Sequence, residues 1–442
     1  MPKACSLLIL VTLFASCKKS STSPTPSPSP VLATLTTSAV SSINISSASS
    51  GGNITNDGGA TVTARGICWG TSSGPVVTGN HTTDGSGTGT FNSLLSNLTP
   101  LTTYYVRAYA TNTAGTGYGN EVSFSTTGTL PGVYVTGDEV TTSNSSRIIK
   151  LWKDGVATDI TNNSSLASGT SVFVSPSDVI VGGFEYSPAT NQAGRIWKNG
   201  NPTTLTSSSQ YGSISGVYIS GNDIYACGVD RIGGVDMAKV WKNGAATTLS
   251  SASSLNSGAN SIFVSGSDVY ITGAEYNGTL QVAKIWKNGA ATSLITNGTD
   301  NTNGYSVFVS GSDVYVAGQS YTPSKYYAVY WKNGVPVLLT NGSTQAGANG
   351  IFVSGSDVYV AGYESNGAYD VAKLWKNGVA IPLTNGSNEA LALAVYVSGN
   401  DVYAAGYEYS AGISIAKIWK NGVATSLSNG TKDAAARAIY VK

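Results

Sequence analysis

Apolar residues in this chain recur with period two rather than 3.6. In YYVRAYATN (104–112), Tyr104, Val106, Ala108 and Ala110 fall on one face of an extended strand. The same alternation returns in short runs such as VYVTG (133–137), IFV (351–353) and VYVAG (358–362), each closed by Gly, Ser, Asn or Asp. Beyond the N-terminus no long stretch places apolar side chains at helical spacing, so the pattern predicts an all-β protein. The 53 glycines supply turns, and the 25 tyrosines with frequent Val and Ile suit strands.

Over residues 132–442 the pattern becomes a repeat. WKDG at 152 is followed by WKNG at 197, 241, 286, 331, 375 and 419, in steps of 44 or 45 residues. A fixed period near 45 without a helix signal reads as propeller blades of four strands. In the unit around AKLWKNGVA (372–380), strand A is IFV (351–353) and an SGSD link leads to strand B, VYVAG (358–362). A variable loop follows, then strand C, AKLW, and a turn into strand D, VAIPL (379–383). Asn-Gly or Asp-Gly stands at all seven C–D turns, as a two-residue hairpin with two positive-φ positions requires. The region starts at a strand B (133–137) and stops after a strand A, AIYV (438–441). The last strand therefore supplies the one missing from the first blade, and seven closed blades are predicted.

Only 11% of residues are charged, and the repeat says where those charges go. Two residues past the strand-B glycine stand Glu139, Glu185, Asp230, Glu275, Ser320, Glu364 and Glu408. Two before each Trp stand Lys150, Arg195, Lys239, Lys284, Val329, Lys373 and Lys417. Six units carry an acid and a base, and the fifth has lost both. Joint loss predicts that the two positions pair across the B–C hairpin, each pair contributing roughly 0.2–1 kcal/mol. An ion-binding ring is the functional counterpart of that reading. Asp178, Asp223, Asp268, Asp313, Asp357 and Asp401 recur in the A–B link, with Gly132 in the seventh place. No acid cluster surrounds any one of them, so they read as turn residues bonded to nearby backbone rather than calcium ligands.

In an up-and-down blade the B–C and D–A links share one face, and here they vary. Variable loops on a rigid scaffold are where binding tends to reside. Tyr186, Tyr276, Tyr321 and Tyr409 hold one equivalent position at the start of the B–C loop, with Arg231 and Ser365 in two other units. Such a broken ring suits stacking on a sugar or gripping a peptide, and covering blade edges is the structural alternative.

Residues 31–128 form a separate β module. LTPLTTYYVRAYATNTAG (98–115) carries Leu98, Pro100, Thr102, Tyr104, Val106, Ala108, Ala110, Asn112 and Gly115. This spacing resembles the fibronectin type III pattern, which implies a β-sandwich whose corner Tyr104 bonds back to the preceding turn. Trp69 in ARGICWG stands further along than that family's core Trp, so the module is fibronectin-III-like. The resemblance implies a spacer or docking unit.

The first residues change the picture of where all this sits. MPKACSLLILVTLFASC has an early Lys, an apolar run from Leu7 to Phe14, and small residues before Cys17. That is the layout of a cleaved signal peptide over 1–16. The ending resembles a bacterial lipobox, with Phe14 where Leu is usual. The resemblance implies that Cys17 carries lipid, and that Lys18 and Lys19 favour the outer membrane or cell surface. Residues 17–30 read as the lipidated Cys and a Ser/Thr/Pro stalk. Cys68 and Cys227 read as buried residues rather than a disulfide or metal pair.

The net charge of +1 gives no footprint for nucleic acid. His81 is the one His, outside the repeat, and no nucleophile elbow, phosphate loop or metal set appears. SGSDVY lacks the later Gly and Trp of sialidase boxes. No catalytic residue, metal or cofactor is expected. The sequence thus predicts a monomeric, lipid-anchored protein that touches membrane through its anchor only. Its expected role is non-catalytic recognition of a glycan or protein at the cell envelope. A structural surface lipoprotein, and less so a polysaccharide-processing enzyme, are the alternatives.

Overall fold

The computed structural model describes residues 28–442 apart from 44–46, 100–101, 127–131, 142–145, 163–165, 188–190, 208–210 and 251–254. The leader, Cys17, most of the 17–30 stalk and Pro100 lie outside the described residues. Every regular element among the described residues is a β-strand. The chain divides into two compact units, Met1–Thr127 and Gly128–Lys442.

The first unit contains two antiparallel sheets. One orders Thr34–Thr37, Ala48–Asn56 and Gly89–Leu95; the other orders Asn80–His81, Ala64–Gly70, Thr103–Asn112 and Gly115–Tyr118, with Val122–Ser125 also on Thr103–Asn112. Alternate residues of Thr103–Asn112 face a core shared with Ile54, Ile67, Phe91 and Leu95, and Trp69 packs at its edge. The Tyr104 hydroxyl accepts the Thr99 N–H at 3.0 Å, the corner contact expected of that residue. Cys68 and Cys227 are both free and buried. Burial pushes both thiols up, that of Cys68 to about 11, so neither is a ready nucleophile.

The second unit repeats one four-stranded antiparallel group seven times. Numbered by strand A, the groups begin at Ala434–Val441 (sheet 1), Leu166–Val174 (2), Gly212–Ser220 (3), Asn256–Ser265 (4), Asn301–Ser310 (5), Ala346–Ser354 (6) and Ala390–Ser398 (7). In sheet 6 the strands are Ala346–Ser354, Asp357–Ser365, Asp370–Lys376 and Val379–Pro382, each paired with the next. Sheets 1 and 2 are joined by one parallel pair, Arg147 with Leu166. Sheet 1 is assembled from both ends of the unit, with Ala434–Val441 pairing antiparallel to Val133–Val140 from Ala434↔Glu139 to Val441↔Val133.

Seven cores lie between neighbouring sheets. Trp286, for example, joins Cys227 and Ala238 of sheet 3 to Ala259 and Ile271 of sheet 4. The core around Trp152 joins Tyr403, Ala405 and Ala416 of sheet 7 to Ala434, Ala436 and Ile439 of sheet 1. All seven repeat Trp side chains are at most 2% exposed. On the scale of Trp→Ala changes each anchors about 3–5 kcal/mol.

The repeated turn chemistry has a clear cause. Asn377 and Gly378 sit at φ +51° and +83°, and the other six C–D turns repeat those values closely. Asn377 accepts the Val358 N–H at 2.9 Å and donates to Asp357 at 2.8 Å. Lys376 bridges the same carboxylate at 2.8 Å and lies 5.3 Å over the Tyr359 ring. Lys198, Lys242, Lys287, Lys332 and Lys420 make the same ion pair in their sheets. The A–B aspartates are thus bonded mainly to Lys and Asn of the C–D turn, not to nearby backbone as the link sequence suggests. Hydrogen bonds from those Lys and Asn side chains hold the carboxyls of Asp223, Asp268, Asp313, Asp357 and Asp401 below the ordinary range.

Candidate functional site

All six expected acid–base pairs form. Lys150–Glu139 is 3.4 Å, Arg195–Glu185 2.8 Å, Lys239–Asp230 3.5 Å, Lys284–Glu275 3.3 Å and Lys417–Glu408 2.8 Å, and Lys373 pairs with Glu364. They are diagonal rather than directly opposed: Lys150 is in register with Gly137 and Glu139 with Ile148. In sheet 5 the substitutes are both fully buried. Ser320 instead meets the Thr296 hydroxyl at 2.8 Å and donates to Asp300 at 3.3 Å.

Four of the five loop-face residues have side-chain partners close by in the chain. Arg231 makes a two-point pair with Asp236 at 2.7 and 3.0 Å and lies 5.0 Å over Tyr211. The Tyr276 hydroxyl donates to the Gly278 carbonyl at 3.0 Å. Tyr321 stacks on Tyr326, and Tyr409 meets Tyr407 edge-on. Tyr186 and Tyr409 are more than a third exposed. None of the five lines the cavity described next.

That cavity, about 200 Å³, is lined by strand A of all seven sheets. Each strand A carries a β-bulge at one equivalent place: Gly169/Ser171, Ile214/Gly216, Ala259/Ser261, Gly304/Ser306, Ala348/Gly350, Ala392/Ala394 and Ala436/Ala438. A bulge leaves one residue out of the ladder and re-aims it. The seven skipped residues are Thr170, Ser215, Asn260, Tyr305, Asn349, Leu393 and Arg437, and all seven line the cavity. The strand-B glycine opposite makes the bulge possible. A Cβ at Gly273 would overlap the Gly258 carbonyl, and Gly137, Gly183, Gly228, Gly318, Gly362 and Gly406 are equally tight. Two residues beyond the bulge partner, Phe173, Tyr218, Phe263, Phe308, Phe352, Tyr396 and Tyr440 each pack on the next. The last packs on the first, with centroids 4.5 to 5.2 Å apart.

Neighbouring sheets are tied together across the cavity wall. Thr170 donates to the Ile214 carbonyl at 2.6 Å, Asn260 to Gly304 at 2.8 Å and Asn349 to Ala392 at 2.9 Å. Ser171, Ser261 and Ser306 accept the N–H groups of Val217, Val307 and Ile351 at 3.1 to 3.3 Å.

Among the described residues lining the cavity, Arg437 is the one charged side chain. Its Nε donates to Asp138, which also takes Arg147 at 2.5 Å and the Ser168 hydroxyl at 2.8 Å. Asp138 is fully buried, whereas Arg437 and Arg147 are each over a third exposed. Burial alone would push the Asp138 carboxyl up; the charge and hydrogen bond of Arg437, with Ser168 and Arg147, outweigh it and hold the carboxyl below its ordinary value.

Sequence reasoning missed the bulge residues and Asp138. A signal was present for the first. In GTSVFV, ISGVYI, ANSIFV, GYSVFV, ANGIFV, ALAVYV and ARAIYV the second column varies most.

No family model and no curated protein matches the chain. A solved structure similar to it is that of a DUF4784 family protein from Bacteroides caccae ATCC 43185. It is 9% identical, with 92% of this chain and 99% of that chain covered and a TM-score of 0.31, a likeness too low to carry an argument.

Proposed function

We propose that the second unit is a closed seven-bladed propeller and that the protein uses it for non-catalytic recognition of a glycan or protein at the cell envelope. The pairing of the last strand with the first, the core between sheets 7 and 1 and the unbroken aromatic circle support closure. In this reading the first unit is a fibronectin-III-like spacer, and lipid on Cys17 anchors the chain to the outer membrane or cell surface. The observation that carries recognition is the seven bulges. A scaffold that repeats its Trp, its Asn-Gly turn and its Lys–Asp pair places seven side chains of six kinds at one cavity. The B–C loops add Tyr186, Tyr276, Tyr321, Arg231 and Tyr409, apart from the cavity lining. The test is retention of residues 18–442 on a panel of immobilised polysaccharides and fractionated envelope proteins. It is run beside one variant with Ala at the four B–C loop tyrosines and another with Ser215→Trp blocking the cavity. Retention that either variant loses supports recognition and locates it at the loops or at the cavity. Retention unchanged in both, or none at all, overturns it.

A further inference from the structure

The cavity has a polarity of its own. Among the described residues its wall holds one charge, the guanidinium of Arg437, and no acid. The counter-charge is Asp138, which lies wholly out of solvent and is shared with Arg147. Two cations therefore answer one anion, and the surplus charge is on the exposed side. Arg437 spends its Nε on Asp138, and among the described residues its terminal NH₂ groups make no hydrogen bond. Asp138 thus aims the guanidinium and fixes its plane, as an anion-binding Arg needs.

The neutral groups agree in sign and add detail. The hydroxyls of Ser171, Ser261 and Ser306 accept a backbone N–H from the neighbouring sheet, so each keeps its own hydrogen to donate. Asn260 and Asn349 give their amide hydrogens to backbone carbonyls, so their side-chain oxygens remain to accept. One cation, several hydroxyl donors and two amide acceptors match a ligand with one carboxylate and several hydroxyls. The volume of about 200 Å³ holds one small molecule rather than a folded segment. Asp370 and Glu389, acids near Tyr407, do not line the cavity.

We infer that the cavity binds a small hydroxylated carboxylate, a sugar acid or the acidic end of a glycan, with Arg437 taking the carboxylate and the Ser and Asn groups taking the hydroxyls. The inference rests on the recognition reading above and names its ligand class.

Calorimetric titration of the lipid-free chain with glucuronate tests it, with glucose and acetate as controls. One glucuronate binds per chain, and glucose and acetate each bind at least about tenfold more weakly, since each lacks half of the match. Arg437→Gln weakens glucuronate at least about tenfold while leaving glucose unchanged. Because that variant also strips Asp138 of a partner, Leu393→Glu serves as a second. It leaves the Arg437–Asp138 pair intact, offers an internal carboxylate and abolishes glucuronate binding. No glucuronate binding, glucose binding as well as glucuronate, or full binding by both variants each overturns the inference. If the chain is still retained by a polysaccharide or envelope protein in such a case, the ligand class fails alone. If retention is also absent, the recognition reading fails with it.

Discussion

A side chain at Gly132 would bring its Cβ within 2.7 Å of the Asp154 carboxylate. Asp154 stands where the other six C–D turns carry Asn, and Gly132 where the other six A–B links carry Asp. Like those Asn residues, Asp154 accepts the next backbone N–H, that of Val133, at 2.8 Å. Unlike them it has no amide to donate, so an acid facing it would meet a second acid. The two departures are one compensated change. Gly132→Asp therefore destabilises the second unit by about 1–3 kcal/mol, from charge and from its φ of +143°. Adding Asp154→Asn recovers about 1 kcal/mol, because only the charge conflict is relieved. Denaturant unfolding followed by Trp fluorescence measures the cycle, since seven of the eight Trp lie in the repeat. A cycle with no coupling would refute the compensation.

Sheet 5 offers the opposite case. Its missing acid and base invite restoration as Ser320→Glu with Val329→Lys. Val329 is fully buried in the core around Trp331, and Ser320 already faces Asp300. The double variant is thus expected to be less stable than the natural chain by roughly 2–4 kcal/mol, since a buried Lys and a clash of acids outweigh one pair. Equal or higher stability would mean that the sheet-5 site opens to solvent as the others do.

The contrast marks what a repeat makes legible. Strand order, the Asn-Gly turns and the joint loss in sheet 5 were readable because identical physics is written six or seven times and each exception stands out. The Lys–Asp ladder was in the same columns, but its partners lie 19 or 20 residues apart on different turns, and spacing alone does not say which turns meet. Asp138 was hidden more deeply. Its position holds Phe184, Val229, Ala274, Gln319, Tyr363 and Tyr407 in the other sheets, so no periodic signal exists. Its partner Arg437 comes 299 residues later, brought near only by the final strand.

Asp138 also sets a pH response. Its folded carboxyl titrates below the unfolded value, so it stabilises the fold above about pH 4 and that contribution fades as pH falls through its folded pKa. Asp138→Asn should cost roughly 3–5 kcal/mol at pH 7, because two arginines lose their counter-charge. The gap between variant and natural chain should narrow as pH falls below about 4. Urea midpoints from pH 2.5 to 7 check this. A gap constant across the range would mean the carboxylate charge plays no part.

Removing residues 434–442 tests closure directly. The deletion exposes the hydrogen-bonding edge of Val133–Val140, opens the core around Trp152, and removes Tyr440 from the aromatic circle. In an open array of sheets, which are stabilised by nearest neighbours, such a loss stays local and frays one end. In a closed ring it removes contacts on both sides of sheet 1 together. The truncated chain should therefore unfold at much lower denaturant, in a broader transition that includes Trp residues in sheets 3 to 5. A synthetic peptide of residues 434–442 should restore part of the midpoint in a concentration-dependent way, because it binds only the folded ring. Loss confined to the signal of Trp152, with the rest unfolding as before, would show that the seven sheets do not depend on closure.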